Sequence, residues 1–84
     1  MYKYEEQKPK IFTEEGQETF LKIRDKMQYL LKQSGAVMME NVISGVTGNN
    51  WFHCACVDRL VELGEIKEIT NGDVAGQHRV FIKA

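Results

Sequence analysis

The segment His53-Cys54-Ala55-Cys56 brings together residue types that bind metals or act as nucleophiles. Successive residues of an α-helix are ~100° apart, so on the helix expected here Cys54 and Cys56 point about 200° apart. They therefore cannot form a disulfide with each other or share a tetrahedral metal without breaking that helix. We interpret them as two reduced thiols, one buried and one partly exposed.

The rest of the sequence contains no pattern that indicates an enzyme. A catalytic thiol needs a base and a third group that orients the base, and no spacing in the sequence supplies them. His53 is interpreted as a hydrogen-bonded core residue and His78 as a strand residue, while Gly72 and Gly76 suit turns rather than a phosphate-binding loop. We expect no catalytic residue, no metal and no cofactor.

A second set of residues has types suited to binding DNA or a protein. Asn49, Asn50 and Trp51 stand at the start of a predicted helix, where side chains can reach bases and phosphates. Cys54 follows about one turn later. Arg79, at the base of a predicted hairpin, is a candidate for a phosphate contact.

Each of these residues also has a purely structural interpretation. Asn50 is the expected N-cap of the helix, and Trp51 could pack against neighbouring elements instead of meeting a partner. Arg79 could form a cross-strand ion pair with Glu65 or Glu68, which contributes at most ~1 kcal/mol at a surface.

Local patterns define the elements that would position these residues. Thr13 is a candidate N-cap, and Gly35 a left-handed C-cap, for a first helix. Its apolar residues recur at helical spacing: Phe20, Ile23, Met27, Leu30 and Leu31. The further predicted elements are a strand over 36–38, a short helix spanning Met39 to Val46, a helix from Trp51 to Leu63 closed by Gly64, and strands over 66–70 and 78–83 joined by a loop over 71–77.

This element order resembles the winged helix-turn-helix superfamily. The resemblance is carried by Val42-Ile43 through Thr47-Gly48, by Val57-x-x-Leu60-x-x-x-Gly64-x-Ile66, and by His78-Arg79-Val80-Phe81-Ile82, and it covers roughly residues 13–83. It implies an α+β fold over residues 13–84, with three helices packed with a two- to three-stranded antiparallel β-wing. It also implies a regulatory DNA-binding module, with the third helix in the major groove and the wing over the backbone. A homodimer would then read paired half-sites.

Residues 1–12 are expected to form a flexible arm, because Pro9 discourages helix. Tyr2, Tyr4, Ile11 and Phe12 could fold back onto the domain. The lysines of this segment could add a mobile cationic contribution: Lys3, Lys8 and Lys10.

Charge argues against the usual use of such a fold. The net charge is −1, and residues 37–84 carry only four basic residues against six acids. A helical wheel of the third helix predicts a core face of His53, Cys56, Val57, Leu60, Leu63 and Gly64, with Phe52 at its edge. It predicts an outward face of Trp51, Cys54, Ala55, Asp58 and Glu62, and phosphates would repel the two acids.

The alternative hypothesis is therefore a protein-interaction or assembly module that binds no nucleic acid. Its interface would comprise Trp51, Cys54, Asp58, Val61 and Glu62, with a protein partner or a second copy of the chain. No apolar run approaches the ~20 residues that span a membrane. Together with the polar first ten residues, this predicts a cytoplasmic protein that contacts no membrane.

Overall fold

The computed structural model describes residues 1–71 and 74–84 of the chain. It confirms a small α+β domain in which three main helices pack with a three-stranded antiparallel sheet. The elements in chain order are α1 (Tyr4–Gln7), a 3₁₀ helix (Lys8–Phe12), α2 (Glu14–Ser34), β1 (Ala36–Met38), α3 (Met39–Ile43), α4 (Asn50–Glu62), β2 (Ile66–Glu68), a second 3₁₀ helix (Gly76–His78) and β3 (Val80–Lys83). Two residues of the expected hairpin loop, Gly72 and Asp73, lie outside the described residues.

The predicted caps of α2 are both confirmed. Thr13 Oγ1 accepts a 3.0 Å hydrogen bond from the backbone N–H of Gly16, and Gly35 ends the helix with φ 79°. The apolar stripe faces inward, since Phe20, Ile23 and Met27 are all buried. Of the helices in the described parts of the chain, none is both long and apolar enough to cross a bilayer.

The N-cap of α4 is Asn49, so the prediction of Asn50 was wrong by one residue. Asn49 has extended backbone angles (φ −92°, ψ 164°), and its Oδ1 accepts a 2.9 Å hydrogen bond from the N–H of Phe52. Asn50 has already entered the helix. The predicted end is confirmed, because Gly64 adopts φ 76°, a conformation that favours glycine.

The sheet has the strand order β1-β3-β2, with β3 pairing antiparallel to both neighbours. Val37 and Glu68 both lie opposite Phe81, which is completely buried. β1 spans the predicted residues, but β2 and β3 are shorter than predicted, because β2 ends at Glu68 and residues 76–78 form a 3₁₀ turn before β3.

The segment expected to be a flexible arm is helical over residues 4–12 and contributes to the core. Ile11 has no exposed surface, and the half-buried Tyr2 and Tyr4 pack against the core as the sequence suggested. Pro9 does not prevent helix, since it occupies the first turn of the 3₁₀ helix, where its missing N–H is not needed.

Packing of this segment corrects the helical wheel of α4. Cys54 and Ala55, predicted to face outward, are 9% and 0% exposed, and both cysteines are buried. Leu63, predicted to be core, is 47% exposed. Cys54 and Ala55 are buried because α1 and the 3₁₀ helix Lys8–Phe12 pack against α4 on a side that the wheel left to solvent.

Candidate nucleic-acid interface at the start of α4

The N-terminal end of α4 forms an open cleft with the 3₁₀ helix that precedes α2. Gln7, Lys10, Asn49, Asn50 and Trp51 line this cleft, whose volume is about 410 Å³. We call it the α4 cleft. Trp51 is 45% exposed there, and Lys10 and both asparagines are also exposed. The structure therefore brings together three of the predicted contact residues and adds Gln7 and Lys10.

Two features of the α4 cleft favour the binding of an anion. The N–H groups of Phe52 and His53 are satisfied by Asn49, but within the described residues those of Asn50 and Trp51 donate no hydrogen bond. Unpaired N–H groups give a helix start a partial positive charge that favours anions. The ammonium of Lys10 adds a full positive charge beside them.

Farther along α4, Asp58 is held by two donors. The Tyr2 hydroxyl donates to Asp58 Oδ2 at 2.6 Å, and Arg79 Nη2 donates to Asp58 Oδ1 at 2.6 Å. Arg79 Nη2 also donates to Glu68 Oε1 at 2.8 Å. Burial by itself would lower the pKa of Arg79, but its hydrogen bonds with Glu68 and Asp58 raise it, and Arg79 in turn lowers the pKa of Glu68.

Glu62, one turn beyond Asp58, is held by three donors. Lys8 Nζ donates to Oε2 at 3.0 Å, while Arg59 and Tyr4 donate to Oε1 at 2.7 and 2.8 Å. Hydrogen bonds from Lys8, Arg59 and Tyr4, in that order, lower the pKa of Glu62 to about 2. We call these residues the polar network: Tyr2, Tyr4, Lys8, Asp58, Arg59, Glu62, Glu68 and Arg79.

Two predicted contact residues, Arg79 and Cys54, are largely removed from the surface. Arg79 does form the ion pair with Glu68 that the sequence offered as an alternative, and only 16% of its side chain is exposed. Cys54 is buried, with its Sγ 3.3 Å from where a Cβ on Gly76 would lie. The alternative partner of Arg79, Glu65, is instead bound by Arg24 at 2.8 Å.

The residues predicted to form a protein interface are not all accessible at one surface. Trp51 and Glu62 lie at opposite ends of α4, both exposed, and Val61 is 37% exposed. Between them Cys54 is buried and Asp58 is half-buried beneath Tyr2. The five residues therefore do not form one continuous accessible surface.

The histidine and the two thiols have structural environments. His53 Nε2 lies 2.9 Å from the carbonyl oxygen of Thr47, and the ring is 5% exposed, as expected of a core histidine. Burial raises the pKa of Cys56 to about 12 and also raises that of Cys54, so neither thiol is activated. In residues 1–71 and 74–84, no group of three or more His, Cys, Asp or Glu side chains is placed to hold a metal ion.

Sequence reasoning missed Gln7 and gave Lys10 only a general cationic role. No local pattern relates these residues to Asn49, because their proximity depends on how the first twelve residues pack on α4. Comparison of the chain with protein-family models, with curated proteins and with solved structures found no match. What this site can do is therefore inferred from its own residues.

Proposed function

We propose that this chain is a DNA-binding module of the winged-helix type, with a regulatory role, that meets DNA with the N-terminal end of α4. The observation that carries the proposal is the α4 cleft, in which Asn49, Asn50 and Trp51 stand exposed beside Lys10. Asparagine amides can read base edges, and the helix start and the ammonium attract phosphate. The order of helices and strands, with β3 central in the sheet, supports the winged-helix assignment.

The polar network supports an end-on contact rather than one along the whole helix. Asp58 and Glu62 already accept hydrogen bonds from Tyr2, Tyr4 and nearby cations. Their charges are offset within the protein, so they repel phosphate less than free carboxylates would. The same contacts fill the space beside the middle of α4, whereas Asn50 and Trp51 in its first turn stay exposed.

Arg79 has a structural role in this proposal. Its guanidinium is shared between Asp58 and Glu68, and moving it to a phosphate would leave two partly buried carboxylates without their cation. Lys10 takes its place as the proposed phosphate contact.

Titration of labelled duplex DNA of mixed sequence, followed by fluorescence anisotropy at about 50 and about 200 mM salt, tests the proposal. We expect binding at low salt that weakens as salt rises. Lys10→Gln should weaken binding. It should also reduce the slope of the logarithm of the binding constant against the logarithm of the salt concentration by about 0.9 in magnitude, since one phosphate contact is lost. The matched control is Lys32→Gln, on α2 and outside the α4 cleft, which should keep the wild-type slope. Absence of binding at tens of micromolar, or affinity indifferent to salt, would contradict the proposal.

A protein partner is the second candidate, favoured by the exposure of Trp51 and Val61. Exposed tryptophan is a frequent anchor of protein interfaces. In this alternative a second copy of the chain or another protein covers the face around Trp51, and no nucleic acid binds. Sedimentation of the wild type and of Trp51→Ala distinguishes the homodimer: a concentration-dependent dimer lost in Trp51→Ala, without DNA binding, would favour it.

A further inference from the structure

Gln7 carries a buried polar atom for which the protein supplies no partner. Gln7 is one of the residues that line the α4 cleft, it is 6% exposed, and its buried Oε1 has no hydrogen-bond partner among the described residues. Buried carbonyl oxygens in proteins almost always accept a hydrogen bond, since leaving one unpaired is costly. This oxygen therefore calls for a donor from outside the protein.

Other polar groups of the α4 cleft are donors, so they need a ligand with hydrogen-bond acceptors. The N–H groups of Asn50 and Trp51 donate no hydrogen bond within the described residues, and together with the ammonium of Lys10 they are donors that suit an anion. A ligand that satisfies the whole cleft must accept several hydrogen bonds and donate one.

A singly protonated phosphate monoester has this combination of groups. Its second pKa is near 6, so around that pH it presents both acceptor oxygens and one P–OH donor. Sulfate and the internal phosphodiesters of DNA offer acceptors only. The exposed ring of Trp51 adds a surface on which a nucleobase can stack.

We propose that the α4 cleft binds a phosphate monoester that carries a nucleobase. The Gln7 side chain turns its Oε1 into the cleft to accept from the P–OH, the remaining oxygens accept from Lys10 and the start of α4, and the base lies against Trp51. Two sources present this chemistry, a free nucleoside monophosphate and the 5′-phosphorylated end of a nucleic-acid strand. The inference rests on the proposed function, since it specifies the ligand of the same site.

Chemical-shift titration of the ¹⁵N-labelled protein at about pH 6 tests the chemistry of the site. The probes are inorganic phosphate, sulfate and adenosine 5′-monophosphate, followed at the amides of Asn50 and Trp51 and at the indole N–H. We expect saturable shifts with the two phosphates and binding of sulfate about tenfold weaker, the effect of one hydrogen bond. Equal affinity for phosphate and sulfate would overturn the proposal, because it would show that a P–OH donor to Gln7 Oε1 adds nothing to binding.

Two variants separate the roles of the acceptor and the cation. Gln7→Leu fills the same buried space without an acceptor and should remove the preference for phosphate over sulfate, leaving sulfate binding unchanged. Lys10→Gln should weaken both anions, and Lys32→Gln neither. If Gln7→Leu weakens sulfate as much as phosphate, the amide acts as a donor and the proposal is wrong. Unchanged amide dispersion in the spectrum verifies that each variant is folded.

Short duplexes with and without a 5′-phosphate distinguish the two sources, and also separate this inference from the proposed function. An affinity gain of about tenfold from the 5′-phosphate supports the strand end. Binding of the mononucleotide without binding of either duplex supports the free nucleotide and contradicts the proposed function. Equal binding of both duplexes, with no binding of the mononucleotide, overturns this inference while the proposed function stands.

Discussion

The hydroxyl of Tyr2 donates a 2.6 Å hydrogen bond to Asp58 Oδ2 and so joins the start of the chain to the middle of α4. Arg79, next to β3, reaches the other oxygen of the same carboxylate. Asp58 thus connects the N-terminal segment, α4 and the sheet. This arrangement covers the middle of α4, while Asn50 and Trp51 in its first turn stay exposed.

Replacing Tyr2 by phenylalanine should destabilise the domain modestly. The substitution removes one hydrogen bond to a carboxylate that Arg79 still holds, so we expect a loss of about 1 kcal/mol in the free energy of unfolding. Urea denaturation measures it. Tyr29→Phe, at a side chain that is 62% exposed on α2, is the matched control and should change stability by less than ~0.5 kcal/mol. Equal effects of the two substitutions would show that the Tyr2 contact contributes nothing.

Gly16→Ala should destabilise the protein, although alanine normally favours a helix by up to ~1 kcal/mol over glycine. A Cβ at position 16 would lie 1.9 Å from the carbonyl oxygen of Lys10, so the 3₁₀ helix would have to move away from α2. We expect a loss of about 2 kcal/mol, measured by thermal unfolding. Glu18→Ala, at an exposed position of the same helix, should be nearly neutral. Stabilisation by Gly16→Ala would show that this close approach does not exist.

Because of the polar network, the free energy of unfolding should decrease at acid pH. The pKa of Glu62 falls from 4.5 to about 2 on folding, so below pH 4.5 the unfolded chain binds a proton that the folded protein does not. The contribution of Glu62 is therefore complete above pH 4.5 and is lost as the pH falls toward 2.

Urea unfolding at a series of pH values across this window tests the role of Glu62. Glu62→Gln should lower stability near neutral pH and make the decline between pH 4.5 and about 2 shallower. Glu6→Gln, an exposed carboxylate on α1, should keep the wild-type decline. If the unfolding free energy of Glu62→Gln declined with acid pH as steeply as that of the wild type, this would contradict the ion pairing seen with Lys8 and Arg59.

Arg79→Leu should be the most destabilising of these changes. It leaves the carboxylates of Asp58 and Glu68, whose side chains are 21% and 29% exposed, without their shared cation. Because both carboxylates keep some contact with water, we expect about 2–3 kcal/mol, below the loss for a fully buried pair. A double-mutant cycle with Asp58→Asn measures the coupling. A coupling near zero would indicate that Arg79 is free to serve as a phosphate contact.

Local signals in the sequence were sufficient for most of the fold. Thr13 and Gly35 bound α2 as expected because capping depends on a few neighbouring residues. The apolar spacing of α2 likewise identified its buried side. For α4 the same method failed at Cys54 and Leu63, since a wheel shows which residues share a face and not what covers that face.

The candidate site was predictable only in part, for the same physical reason. Asn49, Asn50 and Trp51 are adjacent in sequence, so their position at a helix start followed from turn and cap signals. Lys10 and Gln7 join them through packing between segments far apart in the chain. No pairing signal in a single sequence specifies such contacts, and the same holds for the bond between Tyr2 and Asp58.

Titration of the ¹⁵N-labelled protein with duplex DNA at about 50 mM salt tests the central claim most directly. If DNA meets the N-terminal end of α4, the amide signals of Lys10, Asn50 and Trp51 shift with DNA concentration, while those of Asp58 and Glu62 stay in place. Shifts centred on Asp58 and Glu62, or no shifts at all, would contradict it.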